Sequence, residues 1–511
     1  MKKLFTLFAI LIIQQVGYGA TPSKNDLNDL FINNRATIYT INMRTFSAKD
    51  LNGNDVIEEE LGESVGNFIS GVDRLDEIKN LGFNTIYILP ITKTGKLKAL
   101  GTAGSLYAMD SFNEISPYLD KKYNNLTVNE EAEIFIHEAQ ERGMSVILDL
   151  PSCGSYDFSL AKPSLFLKNK KGLSITPADW VDVRLFKVYD EDGKLNQELI
   201  SGFKSFIDMA QNLGANGVRA DVAAIKPKEF WAEIISYAKE KDSNFLFIAE
   251  ASTSWKNPAK PHTDYENVKG LLNAGFDGYY TDFSNFYSIK TKKDFKKKIK
   301  TDRKLIKKFK NKKSQMITLA THDQKSPMFE GGKSYWQKVL WFGVTYPKNT
   351  YFLDGFQSGD DYNYKFENKK AYITSTDNDY YFVHKGQFDI FNFSRQPKSE
   401  HNEFYEEFKR AMSFNKMAKN IIADGKFKLL KTNSNEVLAY STEKNKDSVI
   451  TIMNLNKEEK LKAEVKVKKM NKKRYLLKIN GKSGPTIKRG KIIVELEPNE
   501  VQVFVYSKER I

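Results

Sequence analysis

Polar and charged side chains stand at the ends of several short apolar runs in this 511-residue chain. They are Asp149, Arg219, Asp221, Glu250, His322 and Asp323. Acids crowded at one place raise one another's pKa, so a protein has reason to keep such a cluster only where it uses it. Capping of neighbouring helices accounts readily for one such acid but explains the whole set poorly.

The stretch GVRADVAAIKP, residues 217–227, places an arginine and an aspartate two positions apart. Side chains two apart on a strand face the same way, so Arg219 is expected to lie beside Asp221 and to lower the pKa of its carboxyl. An ionised carboxylate is a nucleophile, whereas Glu250, after the apolar run FLFIA, is expected to be partly desolvated and protonated as a general acid. A carboxyl pair with separated pKa values is typical of a glycosidase, and about 5 Å separates the two groups in retaining enzymes.

The elements that must position these residues alternate between short apolar runs and amphipathic helices. The predicted strands are 37–43, 84–90, 144–150, 217–222, 245–250, 276–283, 316–323 and 349–356. Helices are predicted over 72–82, after the capping box of Thr127 and Glu130, over 199–213 and from about 402 to 420. Eight strands alternating with helices predict a (β/α)8 TIM barrel, whose active site lies at the carboxyl ends of the strands. A doubly wound open sheet is the alternative, but no glycine-rich phosphate loop follows the first strand.

Changes in composition divide the chain into three parts. Residues 1–20 begin with a lysine pair, continue with an apolar stretch and end in small residues, which is the layout of a secretory signal peptide, with a buried N-terminal helix as the alternative. Residues 21–420 contain the barrel, with a small insert at about 151–195 after the third strand. Residues 421–511 alternate apolar and charged positions, as in LKAEVKVK, and predict a C-terminal antiparallel β-sandwich domain. The region 357–400 has no assignment.

Charge and residue counts bear on several classes of site. The formal charge of +15 raises the question of nucleic acid. The lysine-rich run from Lys290, however, predicts an amphipathic helix with a solvated basic face, and no specific nucleic-acid motif is present. Cys153 is the single cysteine, so no intramolecular disulfide forms, and it is expected to be a small buried residue, with a free thiol near the site as the alternative. The five histidines show no zinc-ligand spacing, so no metal site is predicted, and no segment after residue 20 is apolar enough to cross a membrane.

The ordered motifs of the chain resemble those of the α-amylase family of glycoside hydrolases. GVRADVA is similar to that family's strand-four motif, FIAEA to its strand-five motif and LATHDQ to its strand-seven motif. IYTINMRTFS, LGFNTIYILPI and GTAGSLYAMDSFNEISPYLD resemble its first strand, its second strand and the loop that follows. The resemblance covers nearly the whole chain after residue 20, and although each motif is short, all of them in this order are highly specific.

The resemblance implies a role for each candidate residue. The implied catalytic residues are Asp221 as the nucleophile, Glu250 as the acid/base and Asp323 as the stabiliser of the transition state. The implied substrate-binding residues are Arg219, His322, Tyr107 and Asp149. Tyr107 would stack on a sugar ring, with a place in the core as its alternative. No organic cofactor is required by this chemistry.

The strand-three segment DLPSCG departs from the family's pattern. It keeps Asp149 but has Cys153 and Gly154 where the family usually has asparagine and histidine. That asparagine often binds calcium and that histidine touches the sugar, so the departures argue against calcium here and imply an altered sugar contact. Ala224 and Ile225 replace a frequent basic pair, which leaves the leaving-group side and the product specificity open.

The sequence therefore predicts a secreted or periplasmic retaining hydrolase of α-glucosidic bonds in starch or maltodextrins. An α-glucan transglycosylase with the same acids and a catalytically weak glucan-binding homologue are the alternatives. The altered strand-three motif slightly favours the binding protein. A protein that only binds glucans, however, has no reason to keep three acids crowded together. Linkage preference, endo or exo action and oligomeric state are not fixed by the sequence.

Overall fold

The structure, a computed structural model, describes most of the chain between residues 26 and 508. The described residues are 26–49, 51–52, 58–99, 105–121, 124–177, 180–281, 283, 285–361, 402–467, 475–480 and 485–508. The predicted signal peptide, residues 1–20, and most of the unassigned region 357–400 lie outside them.

Strands β1 to β10 build the barrel and its insert. In chain order they are β1 (Thr37–Ile41), β2 (Thr85–Ile88), β3 (Ser145–Leu150), β4 (Cys153–Gly154), β5 (Arg184–Leu185), β6 (Gly217–Ala220), β7 (Leu246–Ala249), β8 (Gly278–Tyr280), β9 (Ser314–Met316) and β10 (Thr350–Leu353). All but β4 and β5 form one sheet of parallel neighbours in the order β10-β1-β2-β3-β6-β7-β8-β9. A parallel bridge between Met316 and Asn349 joins its two edges. The predicted (β/α)8 barrel is confirmed.

Helices alternate with these strands and cover the outside of the barrel. In chain order they are α1 (Leu27–Ile32), α2 (Met43–Phe46), α3 (Phe68–Val72), α4 (Leu75–Asn80), α5 (Val128–Glu141), α6 (Tyr156–Ala161), α7 (Gln197–Asn212), α8 (Lys228–Lys241), α9 (Val268–Ala274), α10 (Lys292–Lys308), α11 (Pro327–Thr345) and α12 (Asn402–Asp424). The predicted capping box of Thr127 and Glu130 begins α5. Helix α10 buries Phe295, Ile299 and Leu305 beneath its lysines, which confirms the amphipathic prediction. Among the described helices, none combines the length and the apolarity that crossing a bilayer requires.

Alternation along the strands decides which side chains line the barrel interior. Outward side chains of β2, β3 and β7 pack in the large core beneath the helices: Ile86, Ile88, Val146, Leu148, Phe247 and Ala249. Inward side chains form a separate cluster: Tyr87, Ile147, Leu246, Ile248 and Tyr280. The same period of two places Asp149, Arg219 and Glu250 on the inward side.

The junction of β9 and β10 is closed by one residue. The Asn349 backbone accepts from the Ile317 amide at 3.0 Å and donates to the Gln315 carbonyl at 3.2 Å. Its side-chain amide donates to the Phe31 carbonyl at 2.8 Å, and its side-chain oxygen accepts from the Ala36 amide at 3.1 Å. Asn349 therefore ties β9 and β10 to the segment that precedes β1.

The seventh barrel strand lies earlier than its sequence pattern indicates. Strand β9 ends at Met316, so the predicted strand 316–323 is wrong and the His–Asp pair belongs to the loop that follows. Thr318 leaves the ladder because its amide and its hydroxyl both donate to Thr281, each at 3.1 Å. Beyond Ile317, the apolar side chain of Leu319 is buried by packing without strand pairing. The predicted helix 72–82 is confirmed over a shorter range, as α4 (Leu75–Asn80), and Val72 ends the separate helix α3.

A β-sandwich follows helix α12, which itself continues past the predicted domain boundary at 420/421. Its strands are β11 (Lys426–Leu429), β12 (Lys431–Thr432), β13 (Val437–Lys444), β14 (Asp447–Asn454), β15 (Leu461–Lys466), β16 (Tyr475–Asn480), β17 (Thr486–Lys488), β18 (Lys491–Leu496) and β19 (Val501–Ser507). They form two antiparallel sheets, β11-β13-β14-β19-β16 and β12-β15-β18-β17. Apolar side chains of both sheets meet in one cluster, which includes Val437, Ile452, Val465, Ile492 and Phe504. The predicted sandwich is confirmed.

Candidate active site

A single guanidinium holds the predicted site together. Arg219, on β6, is only 1 % exposed. Its Nη1 contacts Asp149 Oδ1 at 2.8 Å and Asp221 Oδ1 at 3.1 Å, and its Nη2 lies 2.8 Å from Glu250 Oε2. Its Nε donates to the Tyr280 hydroxyl at 2.9 Å. Three of the predicted acids therefore share one cation in the barrel interior.

Backbone bonds beyond the strand ends fix two of these acids. Asp221 follows β6, and its amide donates to the Leu150 carbonyl at 3.0 Å. Glu250 follows β7, and its amide donates to the Ala220 carbonyl at 2.9 Å. Each bond continues the parallel ladder by one residue. The structure thus places both acids at the carboxyl ends of neighbouring strands, where the sequence predicts them.

Loop amides bind both carboxylates from the other side. The Ser152 amide donates to Asp221 Oδ2 at 3.2 Å, and the Val222 amide donates to Glu250 Oε2 at 2.7 Å. Val222 has a φ of 36°, a left-handed conformation that a β-branched residue rarely adopts. The turn after Asp221 is therefore strained, and this conformation accompanies the contact of the Val222 amide with Glu250.

Burial dominates the electrostatics of Asp221. It raises the pKa of this carboxyl well above its usual value; Arg219 opposes the rise, and Glu250 and Asp149 add to it. Arg219 acts in the direction that the sequence predicts. The expectation of a lowered pKa is nevertheless wrong, because desolvation in the barrel interior outweighs the effect of a guanidinium that three carboxylates share.

Asp149 orients the aromatic side of the site. The Tyr107 hydroxyl donates to Asp149 Oδ2 at 2.7 Å and lies 2.8 Å from His322 Nε2. The Tyr107 and His322 rings are stacked, with centroids 5.6 Å apart and planes 9° from parallel. From β2, the Tyr87 hydroxyl donates to Asp149 Oδ2 at 2.5 Å. Asp149 is thus held by Arg219 and two tyrosines, which suits it to positioning its neighbours.

The His–Asp pair enters from the loop after β9. Burial lowers the pKa of the His322 imidazole to about 4, and Arg219 contributes to this. The ring is therefore neutral at neutral pH. Asp323 Oδ2 lies 3.4 Å from His322 Nε2, and its side chain is 42 % exposed. The structure joins Asp323 to the cluster through His322, on the side that faces solvent.

A cavity of about 250 Å³ lies beside Glu250. Its aromatic lining residues are Trp180, Trp255 and Tyr265. Ala224, at one of the two positions where the resembled pattern has a basic residue, also lines this cavity. The aromatic side chains offer flat apolar faces of the kind that pack against sugar rings.

The loop after β3 has no room for a side chain at Gly154. A Cβ there would lie 2.5 Å from Phe166 Cζ, so the phenylalanine ring fills this space. Cys153 is buried, as predicted, and burial raises the pKa of its thiol to about 12. A neutral thiol is a poor ligand for calcium, which takes oxygen ligands. Within the part of the chain that the structure describes, no group of His, Cys, Asp or Glu side chains is arranged to hold a metal ion.

Sequence reasoning missed Tyr87, Tyr280 and Lys226. Strand alternation points the two tyrosines into the barrel, but a tyrosine on a strand is equally typical of a core. Lys226 is 2 % exposed, and its Nζ donates to the Ser152 carbonyl at 2.6 Å. The signal that could have found it is a lysine directly after the apolar segment AAI, five residues beyond Asp221.

The architecture matches solved α-amylases over nearly the whole chain. A maltogenic α-amylase of Thermotoga neapolitana is 18 % identical, with a TM-score of 0.66 over 93 % of this chain and 99 % of that one. An α-amylase of Lactobacillus plantarum is 18 % identical, with a TM-score of 0.65 over the same shares. The chain has the fold of the α-amylase family. No protein-family model matches its sequence.

Curated relatives of this fold match a shorter part of the chain. An α-1,4-glucan:maltose-1-phosphate maltosyltransferase of Mycolicibacterium smegmatis is 27 % identical over 241 residues, which are 44 % of this chain and 32 % of that protein. The protein of the same name from Myxococcus xanthus is 29 % identical over 226 residues, 41 % of this chain and 32 % of its own length. Alpha-amylase 2 of Dictyoglomus thermophilum is 27 % identical over 208 residues, 40 % and 34 % of the two chains. The chain thus spans about a third of the length of these relatives.

Replacing His322 with glutamine is expected to flatten the acid side of the stability curve. Since burial lowers the pKa of His322 to about 4, the unfolded chain binds a proton here that the folded chain does not. The folded state therefore loses stability as the pH falls from about 6.5 to about 4, by roughly 3 kcal/mol from this residue. Urea unfolding of the wild type and of His322→Gln across this pH range measures the loss.

His137→Gln is the matched control, because the His137 side chain is 61 % exposed. This variant should keep the wild-type dependence of the unfolding free energy on pH. A dependence that is the same in His322→Gln and in the wild type would contradict the prediction.

Proposed function

We propose that the chain is a retaining glycoside hydrolase that cleaves α-glucosidic bonds of starch-like glucans or maltodextrins. The proposal is carried by the shared arginine: Asp221 and Glu250 lie on the two terminal nitrogens of the Arg219 guanidinium, at 3.1 and 2.8 Å. Two carboxyl groups held this close fit the narrow spacing of retaining enzymes better than the wide spacing of inverting ones. The likeness to α-amylases and to maltosyltransferases supports an α-glucan as the substrate.

In the proposed reaction Asp221 attacks the anomeric carbon while Glu250 gives its proton to the glycosidic oxygen. The bond between carbon and oxygen breaks, and a glycosyl ester forms on Asp221. Glu250, now ionised, takes a proton from water, whose oxygen attacks the same carbon and releases Asp221. Between the two steps the Val222 amide, 2.7 Å from Glu250 Oε2, stabilises the ionised form.

The remaining site residues are proposed to hold the sugar at the cleaved bond. His322, neutral above a pH of about 4, is suited to exchange hydrogen bonds with sugar hydroxyl groups. Asp323 offers negative charge to the positive charge that develops at the anomeric carbon. Tyr107 already holds Asp149 and His322, so its primary role in this proposal is to orient them; stacking on the sugar stays a prediction.

Removing either reactive carboxyl should nearly abolish turnover. Asp221→Asn and Glu250→Gln keep the shape of each side chain but remove the nucleophile and the proton donor, so kcat should fall by about 10³-fold or more. Initial rates on soluble starch, maltoheptaose, pullulan and trehalose measure the loss.

Asp302→Asn is the control for replacing a buried acid. Thr253 and Tyr279 donate to Asp302, which lies on α10 outside the site. This variant should lose stability but keep kcat. A wild type no faster than Asp221→Asn on every α-glucoside would overturn the proposed function.

Transfer to a second sugar in place of water is the second candidate function. The cavity beside Glu250, with Trp180, Trp255 and Tyr265 in its wall, is placed to hold an acceptor sugar next to the acid/base. The names of the maltosyltransferase relatives describe such a transfer. An acceptor held against aromatic rings competes with water for the glycosyl-enzyme.

Under this second function, a high concentration of maltotriose should yield products longer than the substrate. Trp255→Ala should lower the ratio of transfer to hydrolysis about fivefold, which corresponds to the loss of ~1 kcal/mol of ring contact. Chromatography of the products measures the ratio. Tyr475→Ala removes an exposed aromatic side chain from the sandwich, outside the cavity lining, and should leave the ratio unchanged. Products no longer than maltotriose in the wild type would exclude transfer.

We also propose that the protein is exported, because residues 1–20 have the layout of a signal peptide. A secreting bacterial host should then release the protein into the periplasm or the medium without its first residues, about 20 in number. N-terminal sequencing of the protein from each cell fraction tests this. An intact N-terminus on protein found only in the cytoplasm would contradict it.

A further inference from the structure

Lys226 is a buried cation that the proposed reaction does not use. It follows the short 3₁₀ turn Ala223–Ile225 after β6 and is 2 % exposed. Its Nζ lies 5.2 Å from the ring centre of Phe203 and 5.8 Å from that of Phe186. A lysine loses much hydration free energy in such surroundings. A buried ammonium is therefore expected to have a partner that compensates the lost hydration.

The loop after β3 connects this ammonium to the proposed nucleophile. Lys226 Nζ donates to the Ser152 carbonyl at 2.6 Å, and the Ser152 amide donates to Asp221 Oδ2 at 3.2 Å. Both groups of Ser152 are thus fixed, one by the cation and the other by the carboxylate. A movement of Ser152 away from Lys226 would take its amide away from Asp221.

The buried charges balance when Lys226 is counted. The groups that face one another are Arg219, Asp149, Asp221 and Glu250 on one side and Lys226, Cys153 and Asp182 on the other. Asp182 has a cation of its own, because it faces Arg184. With Glu250 protonated at the start of the proposed reaction, the carboxylates of Asp149 and Asp221 remain against Arg219. A second positive charge makes this set neutral, and neutrality favours the ionised form of Asp221.

Lys226 is charged under ordinary conditions. Burial lowers the pKa of its ammonium to about 8, and Cys153 and Asp221 work against this shift. Cys153 is a neutral thiol at that pH, because burial raises its pKa to about 12. Of the two groups that act on the pKa of Lys226, Cys153 is neutral, so Asp221 is the acid on which the lysine charge acts.

We propose that Lys226 is a positioning residue for Asp221: it anchors the Ser152 peptide so that its amide binds the carboxylate, and its charge favours the ionised nucleophile. This inference rests on the proposed function, because it assigns Lys226 to the nucleophile of that reaction. A lysine that only braced the loop would affect stability without affecting the ionisation of Asp221. The pH dependence of turnover separates these two roles.

Lys226→Met is the test variant, because it keeps much of the side-chain volume and removes the charge and the donor. Loss of the positive charge raises the pKa of Asp221, so the acid limb of kcat/KM on maltoheptaose should move to a pH about one unit higher. At a fixed pH on that limb, kcat/KM should fall roughly tenfold through kcat, while KM changes less than about twofold. Lys226→Arg restores the charge and should return the acid limb to the wild-type position.

Lys338→Met is the matched control for placing methionine at a buried lysine. Lys338 lies on α11, its Nζ donates to Asn499 at 3.0 Å, and burial lowers its pKa to about 7. This variant should lose thermal stability while its acid limb stays where the wild type has it. An acid limb at the wild-type pH in folded Lys226→Met would overturn the inference. If Lys226→Met does not fold, Lys226→Gln takes its place and the same result overturns it.

A covalent label distinguishes failure of this inference from failure of the proposed function. A fluorinated α-glucosyl fluoride whose ester hydrolyses slowly should label the wild type on the peptide that contains Asp221, as seen by mass spectrometry. A wild type that is neither labelled nor active overturns the proposed function and this inference with it. A wild type labelled on Asp221, with Lys226→Met labelled equally fast at every pH, overturns the positioning role alone.

Discussion

The buried guanidinium of Arg219 is the interaction on which the barrel and its site depend together. It contacts a carboxylate on β3, the acids that follow β6 and β7, and the Tyr280 hydroxyl on β8. One side chain thus joins four consecutive strands of the sheet at their carboxyl ends. A buried charge that loses a partner is strongly unfavourable. The charges of the site are therefore neutralised only when these four strands are aligned.

The same arrangement brings three carboxyl groups close together around one positive charge. Burial raises the pKa of Asp221 against the effect of Arg219, and the neighbouring acids Glu250 and Asp149 add to the rise. Two backbone amides stabilise the carboxyl groups: the Ser152 amide donates to Asp221, and the Val222 amide donates to Glu250. The left-handed conformation of Val222 departs from the preference of its residue type, and such departures concentrate where a protein places its chemistry.

Sequence patterns predict this molecule well where burial and periodicity agree. Strands β3, β6 and β7 end within two residues of their predicted ends, and the period of two brings Arg219 and Asp221 to the same side. The prediction fails at β9, because the chain leaves the ladder after Ile317 although Leu319 stays buried. A segment that is buried by packing excludes water from its side chains as a buried strand does. Both therefore show the same run of apolar residues in the sequence.

The partners of the site are harder to predict than its acids. Tyr280 looks like any aromatic residue of a buried strand, and only the position of Arg219 shows that its hydroxyl has a polar task. Lys226 stands outside the motif that draws attention to Asp221, and its importance depends on where the loop after β3 returns. Gly154 shows the same limit, since the ring that fills its space belongs to Phe166, twelve residues later in the chain. Contacts between separate loops leave no periodic trace in a sequence.

The barrel is closed between β9 and β10 by a single bridge at Asn349, which makes this junction its weakest strand pairing. Every other pair of neighbouring barrel strands is held by at least two residue pairs, whereas β9 and β10 meet at one. Local fluctuations concentrate where the fewest hydrogen bonds must break together. His322 and Asp323 lie in the loop that follows β9, next to this junction. Asp221 and Glu250 follow β6 and β7, which are paired through more residues. The side of the barrel that carries His322 and Asp323 is therefore expected to open at a lower free-energy cost than the side that carries Asp221 and Glu250.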